Sequence, residues 1–249
     1  DLVETLDEDY ESLDETAEEW EEENESNILT ADEYQAIADE IEELKHFKQL
    51  AENIREDAKS RALLTALSTA FTKLKELGAA QKAIIFTESK RTQAYLLECL
   101  AQTDYAGENG DGIVLFNGTN SDPQAQKIYK DWLKRHEGSD KITGSKTADT
   151  RAALVEHFKE HGTIMIATEA GAEGINLQFC SLIINYDLPW NPQRVEQRIG
   201  RCHRYGQKHD VVVVNFVDET NEADQRVYEL LEQKFKLSFI KYLFSASFL

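Results

Sequence analysis

Cysteine is scarce in this chain of 249 residues, and long apolar runs are absent. The cysteines Cys99, Cys180 and Cys202 are odd in number and far apart, which argues against a disulfide framework and a CxxC zinc site. We interpret them as small apolar side chains of the core. No charge-free apolar run reaches the roughly 18 residues of a membrane helix, and the N-terminal DLVETLDEDY lacks the zones of a signal peptide. These absences predict a soluble, cytoplasmic protein without a membrane partner.

Positive charge is also scarce, and the deficit is concentrated at one end. The net charge is -20, of which residues 1–60 contribute -19, with 23 acidic residues against four basic ones. The rest of the chain is nearly neutral, so an anion-binding surface on it remains compatible with the composition. Residues 1–29 hold too few apolar residues to fold alone, which predicts a mobile, acidic arm.

Beyond the arm, apolar residues recur at helical spacing. Thr30 and Glu33 form a capping box, and the periodic apolar residues from Tyr34 to Ala58 predict a long amphipathic helix. A second helical stretch ends at Gly78 and is either continuous with the first or separate from it. The chain is thus divided into four segments: the arm (1–29), a helical extension (30–78), a globular lobe (79–236) and an apolar tail (237–249).

The lobe alternates short apolar runs with helical segments. The runs are typical of strands covered on both faces and comprise residues 82–87, 112–116, 163–168, 181–186 and 211–217. The helical segments comprise residues 91–101, 122–136, 151–161, 191–199 and 222–237. This alternation predicts an α/β fold with an open, mainly parallel sheet in three α/β/α layers, and ligands at the carboxyl ends of the strands. Residues 137–150 are predicted to form a polar loop.

Arginines recur at helical spacing directly after the fourth predicted strand. Asn191 can cap a helix whose first turn contains Pro192. Three arginines then fall on one face, and a fourth continues the stripe or lies past the helix end: Arg194, Arg198, Arg201 and Arg204. A guanidinium grips phosphate oxygens with a planar fork and keeps its charge at any physiological pH. The stripe therefore indicates a phosphate-binding surface.

The stretch QRIGRCHRYGQ resembles the sixth motif of superfamily-two helicases in its Swi/Snf form. The pattern is met at Gln197, Arg198, Gly200, Arg201, Arg204, Gly206 and Gln207. The resemblance implies that Arg201 and Arg204 act catalytically as fingers on the γ-phosphate of ATP, and that Gln197 contacts the nucleotide. Arg198 is interpreted as a brace for the helix. A basic stripe without catalysis is the alternative.

Three further stretches resemble other motifs of the same family. IMIATEAGAEGINLQ is similar to the fifth motif, which implies ATP contacts at Gly171, Gly174 and Asn176 and a contact with a nucleic-acid phosphate at Thr168. KAIIFTESKRT is similar to the fourth motif, and LFNGTN to a phosphate-contacting stretch of Swi/Snf proteins. They imply nucleic-acid contacts at Thr87, Ser89, Lys90, Gly118 and Thr119. The alternative is that these polar residues merely cap helices.

The resemblance covers about residues 57–236 and is strongest to the bacterial RapA-like group. It implies a RecA-like lobe, the second motor lobe of a DNA-dependent ATPase that moves along double-stranded DNA. The chain departs from the family in its long 120–150 stretch, its acidic arm and its apolar tail. The apolar tail suggests a truncated or altered reading frame.

No P-loop, GxxxxGK followed by Ser or Thr, is present in the sequence. GSKT at 144–147 is interpreted as a loop, and Asp218 with Glu219 as a turn after a strand rather than a magnesium-binding motif. The isolated chain is therefore predicted to be inactive. Its partner would be an N-terminal RecA-like lobe that supplies the P-loop and the ligands of Mg²⁺, with ATP bound between the lobes.

Two rival functions come from other features. His157, Glu160 and His161 have the HxxEH order of inverted zinc peptidases, but the helix offers no third ligand, so a solvent-facing helix end is favoured. The second rival is a non-enzymatic interaction module, in which the acidic arm binds a basic protein partner or masks a DNA-binding surface.

Overall fold

The computed structural model describes residues 30–52, 58–172, 174–203, 209–218, 221–235 and 240–244. Its contacts divide the chain into two units, Asp1–Asp57 and Ala58–Leu249. In the described part of the first unit, helix α1 covers Ala31–Glu52. The Thr30 amide donates to Glu33 Oε2 at 2.7 Å and the Glu33 amide donates to Thr30 Oγ1 at 3.4 Å, which confirms the capping box. The predicted arm, residues 1–29, lies outside the described residues.

The second unit alternates strands with helices along the chain. Its described strands are β1 (Ala83–Thr87), β2 (Ile113–Phe116), β3 (Ile164–Thr168), β4 (Leu182–Asn185), β5 (Val212–Asp218) and β6 (Ile240–Phe244). Its described helices are α2 (Ala58–Glu76), α3 (Lys90–Ala101), α4 (Pro123–Arg135), α5 (Lys146–Glu160), α6 (Glu169–Ala172), α7 (Pro192–Cys202) and α8 (Glu222–Phe235), with a 3₁₀ turn at Asp104–Ala106.

The strands form one sheet in the order β2-β3-β1-β4-β5-β6, and every described pairing is parallel. This confirms the predicted RecA-like α/β fold. Because β1 lies between β3 and β4, the loops after these three strands meet at one edge of the sheet. The sixth strand was not predicted. It lies within the segment assigned as an apolar tail, and it pairs with β5 from Val214↔Ile240 to Asp218↔Phe244.

Helices cover both faces of the sheet, which explains the uninterrupted apolar strands. On β1, Ile85 packs into a core cluster with residues of α2 and α3, whereas Ile84 and Phe86 pack into a second cluster with residues of α4 and α5. Alternate side chains thus enter opposite layers, and all five residues of β1 are buried. Within the part of the chain that the structure describes, no helix is both long and apolar enough to cross a membrane.

Two predicted boundaries differ from the structure. Helix α5 begins at Lys146, so the last part of the predicted 137–150 loop is helical, because the Ser145 hydroxyl accepts from the Ala148 amide and caps the helix. Residues 144–147 therefore form a helix start rather than a loop alone. Helix α2, predicted as part of the extension, packs with the lobe: its leucines Leu63, Leu67 and Leu74 are fully buried in the core.

Candidate functional site

A cleft opens where the loops after β1, β3 and β4 meet. It has a volume of about 210 Å³, and it is lined by Phe86, Glu169, Ala170, Ala172, Arg194, Gln197, Arg198 and Arg201. We call it the arginine cleft. Its position at the carboxyl ends of parallel strands is the usual place for a ligand in an open α/β sheet.

Helix α7 brings the arginines to the cleft. The Asn191 side chain accepts from the Gln193 amide at 2.9 Å, and Pro192 occupies the first turn, as predicted. The helix buries Val195 and Cys202, which sets its rotation about its own axis. The predicted stripe of arginines is confirmed, because Arg194, Arg198 and Arg201 all line one cleft.

Arg198 is the buried member of this stripe, with 2% of its surface exposed. Its Nε and Nη2 atoms donate to Glu169 Oε2 at 2.8 and 2.5 Å. Its Nη1 donates to Asn185 Oδ1 at 2.9 Å and to the Asp187 carbonyl at 3.0 Å. Burial lowers the pKa of Arg198, and the Glu169 carboxylate opposes that shift. These bonds confirm the interpretation of Arg198 as a brace.

Arg201 and Gln197 have a different environment. Both line the arginine cleft, and neither side chain forms a hydrogen bond or ion pair with any of the described residues. Gln197 is exposed and Arg201 half-buried. A guanidinium that lies in a cleft without such a partner can donate to a phosphate. The second predicted finger, Arg204, falls in residues 204–208, as do Gly206 and Gln207, and these positions lie outside the described residues.

The acidic groups beside the cleft have opposite pKa shifts. Burial raises the pKa of Glu88, helped by the charge of Asp187 and opposed by Arg198 and Arg194. Burial would also raise the pKa of Asp187, but the charge of Lys59 and hydrogen bonds from Thr87, Lys59 and Glu88 lower it. The Asp187 carboxylate is therefore held in its charged form.

The residues of the fifth motif do not all face the arginine cleft. Gly171 is buried, and a Cβ there would lie 2.6 Å from Asn117 Cα, so its close backbone approach is to the loop after β2. Gly174 (φ +76°) and Asn176 are exposed and line a separate concavity beside α5, of about 1360 Å³. The structure thus corrects the grouping of these three residues with Gln197, because the chain after α6 runs away from the cleft. The Leu177 amide still donates to the Arg201 carbonyl at 2.9 Å.

Two threonines predicted to contact nucleic acid are buried. Thr87 is fully buried and its hydroxyl donates to Asp187 Oδ2 at 2.6 Å. This leaves no free hydroxyl for a backbone phosphate and corrects the prediction for Thr87. Thr168 is 5% exposed, and its oxygen accepts from the Gly171 amide at 3.4 Å. It therefore supports the start of α6.

The remaining residues of the fourth motif and of LFNGTN lie together. Ser89 caps α3 by accepting from the Thr92 amide at 3.1 Å, which was the alternative reading for this residue. Lys90 Nζ donates to the exposed Thr119 Oγ1 at 3.4 Å, beside the half-buried Gly118. Two sequence-distant stretches thus place a lysine and a threonine on one polar surface at the carboxyl ends of β1 and β2.

Some residues of this edge were missed by sequence reasoning. Trp190 is 78% exposed in the loop between β4 and α7. An aromatic residue between a strand and a capped helix, in DLPWNP, was a usable signal for a contact surface. Glu169 was missed because nothing in its neighbourhood distinguishes it from a solvent-facing carboxylate. Its role depends on Arg198, which is 29 positions away.

The HxxEH residues lie at the C-terminal end of α5. The rings of His157 and His161 are 5.3 Å apart, and Glu160 pairs with Arg135 at 2.6 Å. Burial lowers the pKa of His157, despite a hydrogen bond with the Asp111 carbonyl. No group of three or more His, Cys, Asp or Glu side chains among the described residues is placed to hold a metal ion.

Asp218 ends β5 in a turn, as predicted. Its amide donates to Asp224 Oδ2 at 3.1 Å, and its carbonyl accepts from the Asn221 amide at 3.2 Å. Both bonds belong to the junction with α8, which supports the structural interpretation of Asp218. Glu219 lies outside the described residues.

Comparison with known proteins matches residues 59–206 to the family described as the helicase conserved C-terminal domain. An uncharacterized ATP-dependent helicase, YqhH of Bacillus subtilis, is 40% identical over 156 residues, which are 63% of this chain and 22% of that protein. The RNA polymerase-associated protein RapA of Vibrio cholerae is 40% identical over 89 residues, 35% of this chain and 9% of RapA. A chromatin structure-remodeling complex protein of Arabidopsis thaliana, SYD, is 34% identical over 98 residues, 38% of this chain and 3% of SYD. The chain thus spans less than a quarter of each relative.

Proposed function

Because this chain belongs to the family of helicase conserved C-terminal domains, in its Swi/Snf-like branch, we propose that it is the second motor lobe of a DNA-dependent ATPase. In this proposal the arginine cleft forms one wall of the nucleotide site, and a first lobe forms the other wall. Opening and closing of the two lobes during ATP hydrolysis would then move the protein along double-stranded DNA.

The observation that carries this proposal is the contrast between Arg198 and Arg201. Arg198 donates hydrogen bonds to Glu169, Asn185 and a backbone carbonyl. Arg201 projects from the same face of α7 into the same cleft, without a partner among the residues that the structure describes. An enzyme that stabilises charge on a transferring phosphoryl group needs such a positioned, unpaired cation. Arg204 remains a second candidate finger.

The lining of the same cleft also bears on where Mg²⁺ would bind. Glu169 is the only carboxylate that lines it among the described residues, and this carboxylate already accepts two hydrogen bonds from Arg198. Mg²⁺ prefers carboxylates and phosphate oxygens in octahedral geometry, which this single engaged side chain does not offer. The residues present therefore do not fit the metal, and its ligands are expected on the other lobe together with the P-loop.

The polar edge next to the cleft supports contact with nucleic acid. Lys90 and Thr119 lie together at the ends of β1 and β2, and Ser89 and Gly118 are their neighbours. Trp190 adds an exposed aromatic ring in the loop after β4. Lysine and hydroxyl groups bind backbone phosphates without regard to sequence, which suits a protein that moves along DNA. The names of the relatives RapA and SYD, which refer to RNA polymerase and chromatin, are consistent with this partner.

The test removes each finger from a two-lobed protein that contains this chain. Arg201→Ala or Arg204→Ala should abolish ATP hydrolysis, with a loss on the order of 10³-fold or more, and leave DNA binding intact. Arg226→Ala on α8 is the matched control, because the Arg226 side chain is 68% exposed and pairs with Glu229 on the surface. Turnover equal to wild type in either finger variant would refute that assignment.

A further inference from the structure

Helix α2 contributes a cation that reaches the loop leading into the arginine helix. Lys59, in the first turn of α2, donates to Asp187 Oδ1 at 2.9 Å, and its Nζ lies 4.2 Å from the centroid of the Tyr186 ring. The Lys59 and Asp187 side chains are only 20% and 24% exposed. An ion pair shielded to this degree is stronger than a surface pair, because solvent and salt screen it less.

Asp187 is a junction between the sheet and α7. Its Oδ2 accepts from the Thr87 hydroxyl at 2.6 Å and from the Glu88 amide at 3.1 Å, which joins it to the end of β1. Its backbone carbonyl accepts from Arg198 Nη1 at 3.0 Å. The side chain of one residue is thus held by α2 and β1, while its main chain holds α7.

Arg198 is held from two further directions. Glu169, the first residue of α6, accepts from its Nε and Nη2, and Asn185, at the end of β4, accepts from its Nη1. The guanidinium carbon also lies 4.8 Å from the centroid of the Phe86 ring. The acceptors of Arg198 therefore set the rotation of α7 together with the buried side chains of Val195 and Cys202.

We propose that Lys59 is a positioning residue for the arginine cleft: its charge fixes Asp187, Asp187 fixes Arg198, and Arg198 orients α7 so that Arg201 faces the nucleotide. That Arg201 faces a nucleotide rests on the proposed function, whereas the contacts that link Lys59, Asp187 and Arg198 do not. Neither Lys59 nor Asp187 touches the nucleotide in this scheme. If Asp187 moved, the hydrogen bond from Arg198 to its carbonyl would move with it and α7 would rotate. Arg201, which lies one helical turn after Arg198, would then turn as well.

The test follows the side-chain Nε–H signals of Arg198 and Arg201 by NMR in the full chain. In wild type, the Arg198 signal should be protected from exchange with water, because Arg198 is 2% exposed and its Nε donates to Glu169 Oε2. Lys59→Met should accelerate this exchange by about tenfold or more and shift the signal. Lys59→Arg, which keeps the charge, should restore most of the protection. Asp187→Asn should reproduce the effect of Lys59→Met without any change to α2.

The matched control is Lys73→Met, because Lys73 lies on the same helix and pairs with Glu76 at 2.9 Å where both side chains are more than half exposed. It should leave the Arg198 signal unchanged. Protection of Arg198 that survives both Lys59→Met and Asp187→Asn would overturn the proposal. Amide protection in β1 and β4 should persist in all variants, and its loss together with Arg198 would assign Lys59 a general structural role instead.

A second arm separates this proposal from the proposed function. Added ATP should shift the Arg201 signal in wild type, and Lys59→Met should require several-fold more ATP for the same shift. An Arg201 signal that ignores ATP in wild type contradicts the assigned nucleotide cleft, while the Arg198 data still decide the role of Lys59. An Arg201 response that is equal in wild type and Lys59→Met, despite a loosened Arg198, refutes transmission from Asp187 to Arg201.

Discussion

Substitution of Gly171 by alanine tests whether α6, directly after β3, must touch the loop after β2. A Cβ at this position would lie 2.6 Å from Asn117 Cα, 2.8 Å from the Phe116 carbonyl oxygen and 2.9 Å from the Asn117 carbonyl carbon. All three neighbours are backbone atoms next to a strand that is buried in the sheet, so none can move as a flexible side chain would. Relief requires a shift of α6 against the loop after β2.

The expected cost is about 1–3 kcal/mol of unfolding free energy, the usual range for overpacking in a well-packed region. For a domain of this size, each 1 kcal/mol corresponds to roughly 2–4 °C in the melting temperature. Gly200→Ala is the control, because Gly200 is helical and a Cβ there would meet nothing within 4 Å. Alanine should stabilise that helix by up to about 1 kcal/mol.

Urea unfolding followed by circular dichroism measures both variants against wild type. The reasoning requires opposite signs: a lower midpoint for Gly171→Ala and an equal or higher midpoint for Gly200→Ala. Equal midpoints for Gly171→Ala and wild type would show that α6 and the loop after β2 are not in backbone contact. The placement of LFNGTN against the fifth motif would then be wrong.

Three further predictions concern charge. Burial raises the pKa of Glu156, but hydrogen bonds from His136, Trp132 and Lys141 outweigh burial and lower this pKa to about 2. A carboxyl group with a lowered pKa stabilises the fold at pH values above its ordinary pKa of 4.5. The fold loses this stabilisation as the pH falls towards 2. Acid unfolding of Glu156→Gln should therefore lack a component of up to about 3 kcal/mol over this window, and an unchanged pH profile would contradict the network. Lys90→Ala should weaken binding of a labelled DNA duplex several-fold and reduce the salt slope by about one, whereas Lys75→Ala, an exposed lysine on α2, should not; equal losses in both would indicate only bulk charge. Deletion of residues 1–29 should raise DNA affinity with a steep salt dependence if the acidic arm competes with DNA, and loss of a basic protein partner without any gain in DNA affinity would instead identify a docking segment.

Most of the lobe could be predicted from local pattern. The five predicted strands are all present within one or two residues of their expected ends, because strands buried on both faces must be apolar throughout. The sixth strand was missed, since Ile240–Phe244 lies in an apolar segment with no helix or turn pattern to mark it as part of the sheet. The start of α5 was placed too late because a polar first turn resembles a loop until its cap is seen.

The site was predictable only in part. The spacing of the arginines placed three of them on one helical face, and Asn191 with Pro192 marked where that helix begins. Spacing alone could not separate the roles of Thr87 and Lys90, three residues apart. The Thr87 hydroxyl is buried against Asp187, whereas the Lys90 side chain reaches Thr119 at the surface. Their difference arises from the loop after β4, which no local pattern places next to β1.

The amino-acid sequence by itself determined the α/β alternation, the caps of α1 and α7 and the presence of several guanidinium groups on one helical face, because each depends on residues a few positions apart. The tertiary structure decided which guanidinium in the arginine cleft lacks a partner among the described residues. Arg198 is committed to Glu169, 29 positions away, and its support reaches Lys59 through Asp187, 128 positions from that lysine. Whether a cation is buried and paired or open to a phosphate depends on which distant groups the fold brings within hydrogen-bonding distance, and that information is absent from any single stretch of the chain.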